Sequence, residues 1–219
     1  MQQAQEAYAP KMTAPKIIYG HFSPEPLFSY DPNGFYSNDK SYIVPSGDWF
    51  TLGLLNSNVF WWLLSRLAPA VRGGFHEVRV QYVETLPIPT ADAATRTHLA
   101  TLAETAQHAS ECRRDLLNGF HRRILADLAP VGVRLNAKLN DWTTLDFKAF
   151  HDEVKKLFKQ PIPLAERDAW QTRFEADKQR AQELATEIAR CERTIDAEVY
   201  RLFNLTPAEI ALIENDRAK

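Results

Sequence analysis

The chain has 219 residues, 45% of them hydrophobic and 25% charged, with a formal net charge of −2 and a pI near 6.3. These values describe a globular protein of one or two domains and exclude a strongly basic nucleic-acid binder and a disordered chain. No apolar run approaches the length of a membrane span.

Charge is spread evenly: residues 1–90 carry 6 basic and 7 acidic groups, residues 91–140 carry 7 and 5, and residues 141–219 carry 13 and 16. Any affinity for a polyanion must therefore come from a few placed cations or from a larger assembly. Five Trp, seven Tyr and twelve Phe can bury a sizeable core without disulfides or a structural metal. Cys112 and Cys191 form no CxxC pair, and the start, MQQAQEAYAPKM, lacks the basic and apolar regions of a signal peptide. A cytoplasmic protein with reduced thiols is expected.

Residues 1–14 read as an N-terminal extension. Residues 15–90 hold the turn signals SPEP at 23–26, DPNG at 31–34, PSGD at 45–48 and RGG at 72–74, and residues 17–82 alone hold fourteen aromatics. Lys16–Tyr19 and Lys40–Val44 are short β-branched and aromatic runs of strand type, and Val78–Val83 alternates valine with polar residues as a strand does. The segment Trp49–Ala68 has the length and apolar spacing of a helix pair or one broken helix, stopped by Pro69. LPIP at 86–89 closes the region, because two prolines in four residues continue neither a helix nor a central strand.

Residues 91–219 are helical in pattern almost throughout. Asp92 is an N-cap for a helix to about Leu128, whose Leu99, Leu102, Ala106, Ala109, Arg113, Leu116 and Phe120 make a heptad-like seam broken at Arg113. A second seam, Ala181, Leu184, Ile188, Cys191, Ile195, Glu198 and Leu202, lies on a helix running from after Pro163 to about Phe203. Two such helices should pack on each other in coiled-coil fashion and bury both cysteines. Leu145–Phe158 reads as a shorter amphipathic helix ended by the PIP at 161–163, and Thr206, Pro207 and Glu209 make a capping-box start for a last helix. The expected fold class is α+β: a small mixed α/β domain of short strands, then a mainly helical region with two long packed helices.

Four blocks stand out in order: GFYSNDKSYIVP at 34–45, LGLLNSNVFWWLL at 52–64, RGGFHEVRVQYVETLPIP at 72–89 and ERTIDAEVYRLFNLTPAEIALIE at 192–214. In order and spacing they resemble the TaqI-like C-terminal specificity domain of type IIG restriction-methylation enzymes and related BREX-type phage-defence methyltransferases. The resemblance frames residues 15–214 and is poor around 130–160. It implies a target-recognition domain over 15–90 that binds double-stranded DNA, a helical spacer or docking region over 91–219, and an adenine-specific methyltransferase domain or subunit as partner. The chain departs from a whole enzyme of that kind. It has no NPPY-like motif to hold a flipped adenine and no Gly-rich loop after a strand, so S-adenosylmethionine is expected to bind the methyltransferase and no cofactor this chain. The stretch that precedes the IIYG-like strand in the family is also missing, so a C-terminal piece without a catalytic centre is expected.

Arg suits guanine and Asn or Gln suits adenine at base edges, whereas Arg, Lys, Ser, Tyr and backbone amides hold phosphates. Residues of those types follow the turns: Tyr36, Ser37, Asn38 and Lys40 after DPNG, and Arg72, His76 and Arg79 around Gly73 and Gly74, whose backbone could approach a phosphate. Plainer readings stand beside these. Arg72 with its glycines serves equally as a simple turn, Asn38 and Lys40 as a solvated Asx turn, and His76 as a half-buried surface histidine. Phe60, Trp61 and Trp62 have the residue types of a base-stacking platform, but leucines at 54, 55, 63, 64 and 67 make the segment apolar nearly all round, the mark of a buried helix.

Asp141 followed by Glu153 and Lys155 has the loose D…ExK order of metal-dependent nucleases. That chemistry needs carboxylates at adjacent strand ends, whereas DFKAFHDEVKKLF places Phe147, Phe150, Val154, Leu157 and Phe158 on one helical face. No metal site is expected. The alternative from another functional class is a helical protein-interaction module that docks a partner subunit without contacting DNA.

Overall fold

The computed structural model describes residues 9–217 and divides the chain into two compact units, one made of the chain up to Gln107 together with Arg190 onward, the other of His108–Ala189. Residues 1–8 of the expected N-terminal extension lie outside the described residues.

The first unit starts with one turn of helix, α1 (Ala9–Thr13), and strand β1 (Lys16–Gly20). β1 is the centre of an antiparallel sheet, flanked by β3 (Phe28–Asp31) and β4 (Ser41–Pro45), with β2 (Phe22–Ser23) leaving for a second sheet. Ile17 and Tyr19 point to the core, as the period of two requires, and Tyr19 packs against its cross-strand partners Phe28 and Tyr42 at 5.0 and 5.6 Å between ring centroids. Burial pushes the Tyr19 hydroxyl well above the usual tyrosine range.

β3 is an edge strand, and its outward-facing peptide groups need partners. Two carboxamides supply them. Asn56 accepts from Phe28 N and donates to Phe28 O, both at 3.0 Å, and Gln107 does the same at Tyr30, at 2.7 and 2.8 Å.

The apolar segment after PSGD forms two helices, α2 (Trp49–Leu55) and α3 (Asn58–Leu67), the pair being one of the two arrangements its pattern allows. Asp48 caps the first by accepting from Thr51 N (2.8 Å), and Ser57 caps the second. Asp196 adds a tertiary cap, taking Asn58 N at 2.7 Å. Phe60 is fully buried and Trp61 and Trp62 are half-buried, so this cluster is core and not a stacking platform.

The second sheet is small, in the order β2, β6 (Phe75–Glu77), β5 (Ala70–Val71). The strand expected at Val78–Val83 does not form: Val80–Val83 is a single helical turn, α4, with Tyr82 N bonded to Arg79 O at 3.0 Å. The reason is the supply of partners. Val78 N still bonds to His21 O (2.7 Å), but the next residue inward, Gly20, is already paired with Ser41 of the other sheet. Without a ladder to join, the valine alternation cannot be used.

The long helices follow expectation: α5 (Ala93–Asp127), with Asp92 accepting from Thr95 N at 2.7 Å, and α8 (Arg167–Leu202). In the first unit Leu99, Leu102 and Ala103 of α5 share a cluster with Cys191, Ile195 and Val199 of α8. The last helix, α9 (Pro207–Arg217), has the expected capping box, with Thr206 N donating to Glu209 and Glu209 N to Thr206 Oγ1.

The second unit is helical. Between the two long helices lie α6 (Ala137–Asn140), a 3-10 turn at Trp142–Thr144 and α7 (Phe147–Phe158), the last capped by Asp146. Its core is aromatic: Phe120 stacks on Trp142 at 3.9 Å, and Phe150 on Phe174 at 5.0 Å. Neither cysteine is in a disulfide; Cys191 is buried as expected, but Cys112 is only half-buried, one helical turn from His108 (3.6 Å). Because Phe120 touches Trp142, Phe150, Trp170 and Phe174, Phe120→Ala is expected to cost on the order of 3–5 kcal/mol. Urea unfolding followed by tryptophan fluorescence measures this, and a loss too small to detect contradicts the central place given to Phe120.

Candidate nucleic-acid interface

The loop that carries the first group of candidate residues is built on a buried charge. Lys16 is fully buried, and a buried ammonium requires close acceptors. Its Nζ lies 2.5 Å from Asp31 Oδ2, across the β1–β3 register pair, and donates to Met12 O at 2.6 Å. The same carboxylate accepts Asn33 N (2.9 Å) and Phe35 N (2.7 Å), so it organises the whole DPNG turn. Burial pushes the Asp31 carboxyl up, but the Lys16 bond and the two amides outweigh it and hold the group below the usual carboxylate range. Gly34 has a φ of +74°, and a Cβ there would collide with the Thr13 carbonyl. The turn presents Phe35 and Tyr36 to solvent, 66% and 68% exposed.

Ser37, Asn38 and Lys40 follow. Asn38 Oδ1 accepts Lys40 N (3.0 Å) in the expected Asx turn, and Ser37 Oγ bonds to Ser41 Oγ (2.6 Å). The Lys40 ammonium stands beside Asp39 at 3.3 Å, both well exposed. Its carbonyl accepts His21 N (3.0 Å).

In the second sheet, Arg72, Gly73 and Gly74 form the β5–β6 turn, with φ values of +89° and +79° at the glycines that an L side chain rarely adopts. His76 is turned inward, its Nδ1 3.2 Å from Ala68 O and its ring edge-on to Trp61. Arg79 lies past the other end of β6, where its Nη2 donates to Glu77 Oε1 at 2.6 Å. The same oxygen receives His21 Nε2 at 3.0 Å. The His21 ring contacts Phe22, stacked at 4.3 Å, and Tyr42, edge-on at 5.4 Å.

The backbone of His21 therefore joins the Lys40 loop to Val78, and its ring reaches the Glu77–Arg79 pair. This brings the Ser37–Lys40 loop and Arg79 to one place, with the Arg72 turn at the far end of β6. The Arg79 guanidinium first, and the His21 ring after it, hold the Glu77 carboxyl below the usual range, and Glu77 in turn raises Arg79. His21, Phe22, Tyr42 and Glu77 were not candidates on sequence. Their signal is the GHFS step between two strand-like runs, which only the pairing of β2 with β6 turns into a cluster.

Among known families, residues 1–88 match the TaqI-like C-terminal specificity domain, and residues 92–199 match a domain of unknown function (DUF8810). No curated protein matches the chain.

The match gives the chain a DNA-specificity module of a methyltransferase system. Glu153, central to the nuclease pattern, is a buried α7 residue bonded to Asn136 Nδ2 (2.8 Å) and 3.6 Å from the Lys138 ammonium. Among the described residues no group of three or more His, Cys, Asp or Glu could hold a metal, and no helix is long and apolar enough to cross a membrane.

The specificity domain's exposed loop depends on the Lys16–Asp31 pair. Lys16→Met leaves the buried carboxylate without its cation and is expected to lower stability by about 3–5 kcal/mol in urea unfolding, and the added Asp31→Asn change should recover much of that. With its pKa depressed from 3.8 on folding, Asp31 contributes fully above the unfolded value, and the contribution disappears as pH falls through the folded value. Asp31→Asn should therefore flatten the acid limb of the stability curve below about pH 4; an unaltered limb contradicts the assignment.

Proposed function

We propose that this chain reads duplex DNA for an adenine-specific methyltransferase of the restriction-modification or phage-defence type, of which the type IIG and BREX systems are the models. The methyl donor, S-adenosylmethionine, would bind a methyltransferase domain or subunit, since the chain has neither an adenine-holding NPPY-like motif nor a cofactor loop. The domain would act on DNA in the cytoplasm. The helices over 91–219 would serve as a spacer and as a docking surface for that methyltransferase.

The observation that carries the reading is the joint placement, within a specificity domain, of the Ser37–Lys40 loop and Arg79 around His21. Arg72, on the glycine turn beyond β6, supplies a second cation with which no described carboxylate pairs. Tyr36 and Ser37 provide hydroxyls, and in the Gly73–Gly74 turn the backbone at Gly74 is open to a phosphate oxygen, while Gly73 lies against the Phe75 ring.

Binding should be salt-sensitive, weakening as salt rises from about 50 to 200 mM. In a fluorescence-anisotropy titration of the full chain with duplex DNA, Arg72→Ala and Arg79→Ala should each weaken binding, and Arg72→Ala should reduce the salt slope by about one. Unchanged affinity in both variants overturns the reading.

A further inference from the structure

Arg79 is an unusual exposed arginine. A surface Arg–Glu pair is ordinarily loose, because both side chains must be ordered to make it. Here the carboxylate is fixed beforehand. Glu77 sits on β6 opposite Phe22 of β2, and His21 Nε2 donates to the same Oε1 that Arg79 uses. A carboxylate held ionised by its two neighbours is an acceptor only, so the proton lies on Nε2. The imidazole is restrained: Phe22 stacks on it, Tyr42 meets it edge-on, and His21's own N–H and carbonyl are tied to Lys40 O and Val78 N.

Arg79 therefore hangs from a rigid frame by one nitrogen, with about half of the side chain exposed. The guanidinium is a planar fork of five donors, and the bond to Glu77 leaves other donors of that fork available. A phosphate is recognised chiefly by charge, and Glu77 offsets the charge of Arg79. A base edge is recognised by geometry. The edge that presents two coplanar acceptors to a forked donor is guanine, through O6 and N7.

We propose that Glu77 is a positioning residue that orients Arg79 to read a guanine in the target, with His21 as its brace. The inference rests on the DNA reading given above and adds to it one base and a division of labour: Arg79 discriminates, whereas the unpaired Arg72 attracts.

The test is selection by the full chain from a pool of duplexes with a randomised centre, with affinity for one fixed duplex lacking the selected motif measured in parallel. The wild-type chain is expected to enrich a motif with an invariant guanine. Glu77→Gln should lose on the order of tenfold in preference for that guanine, while its affinity for the fixed duplex rises because a carboxylate near the DNA has gone. A merely structural role for Glu77 would lower both. Arg79→Lys keeps the charge and removes the fork, so it should lose the same preference and retain the fixed-duplex affinity. If both variants enrich the wild-type motif to the wild-type degree, or if the wild-type chain binds the pool without enriching a guanine, the positioning inference is overturned and the DNA reading stands. Absence of salt-sensitive binding by the wild-type chain overturns both.

Discussion

The specificity domain depends on a lysine that has no access to water. Burying the Lys16 ammonium is tolerable only because Asp31 and the Met12 carbonyl meet it, and that requirement fixes several features together. It sets the register of β1 against β3, since a slip of one residue would put Lys16 and Asp31 on opposite faces. It also holds the carboxylate where Asn33 N and Phe35 N can reach it, so the turn that exposes Phe35 and Tyr36 is dictated from inside the sheet. Replacing the pair with apolar residues could preserve stability; it would not preserve the two amide contacts that shape the loop.

Stiffness is passed outward from that sheet in two ways. The Asn56 and Gln107 carboxamides occupy the open edge of β3, so the edge is closed to pairing with another chain and the strand is tied to α2 and α5. The second sheet, with strands of two and three residues, is too small to stand alone. It is held through the main chain of His21, which bonds to Lys40 O on one side and receives Val78 N on the other. The place where the two sheets meet is thus also where the polar side chains collect, because the chain there has run out of ladder partners and turns its peptide and side-chain groups to one another.

This explains what the sequence made legible. Helices and caps are local: Asp92 and the Thr206–Glu209 box each act within three residues, and the apolar period over 49–68 needs no knowledge of the rest. The Asx turn at Asn38 and Lys40 is local too. By contrast, the valine alternation at 78–83 predicted a strand because a period of two says nothing about whether a partner is free. The His21–Glu77 contact spans 56 positions and exists only through the pairing of Phe22 with Glu77 and Ser23 with His76. Arg79 was a candidate for its type and its place near the Gly73–Gly74 turn; what restrains it lay outside any local pattern.

Charge then separates two properties that are easily merged. Within the first 90 residues Lys16 is buried against Asp31, Lys40 stands beside Asp39, Arg66 pairs with Asp216 and Arg79 with Glu77. On the proposed reading, few cations remain to release counterions from DNA, and the domain by itself is a weak binder. Neutralised side chains on rigid supports are, however, suited to discrimination, because an orientation set before contact adds little ordering cost and a wrong base leaves donors unpaired. On that reading the domain would draw its affinity from a methyltransferase bound to the same duplex and its selectivity from a small number of braced side chains.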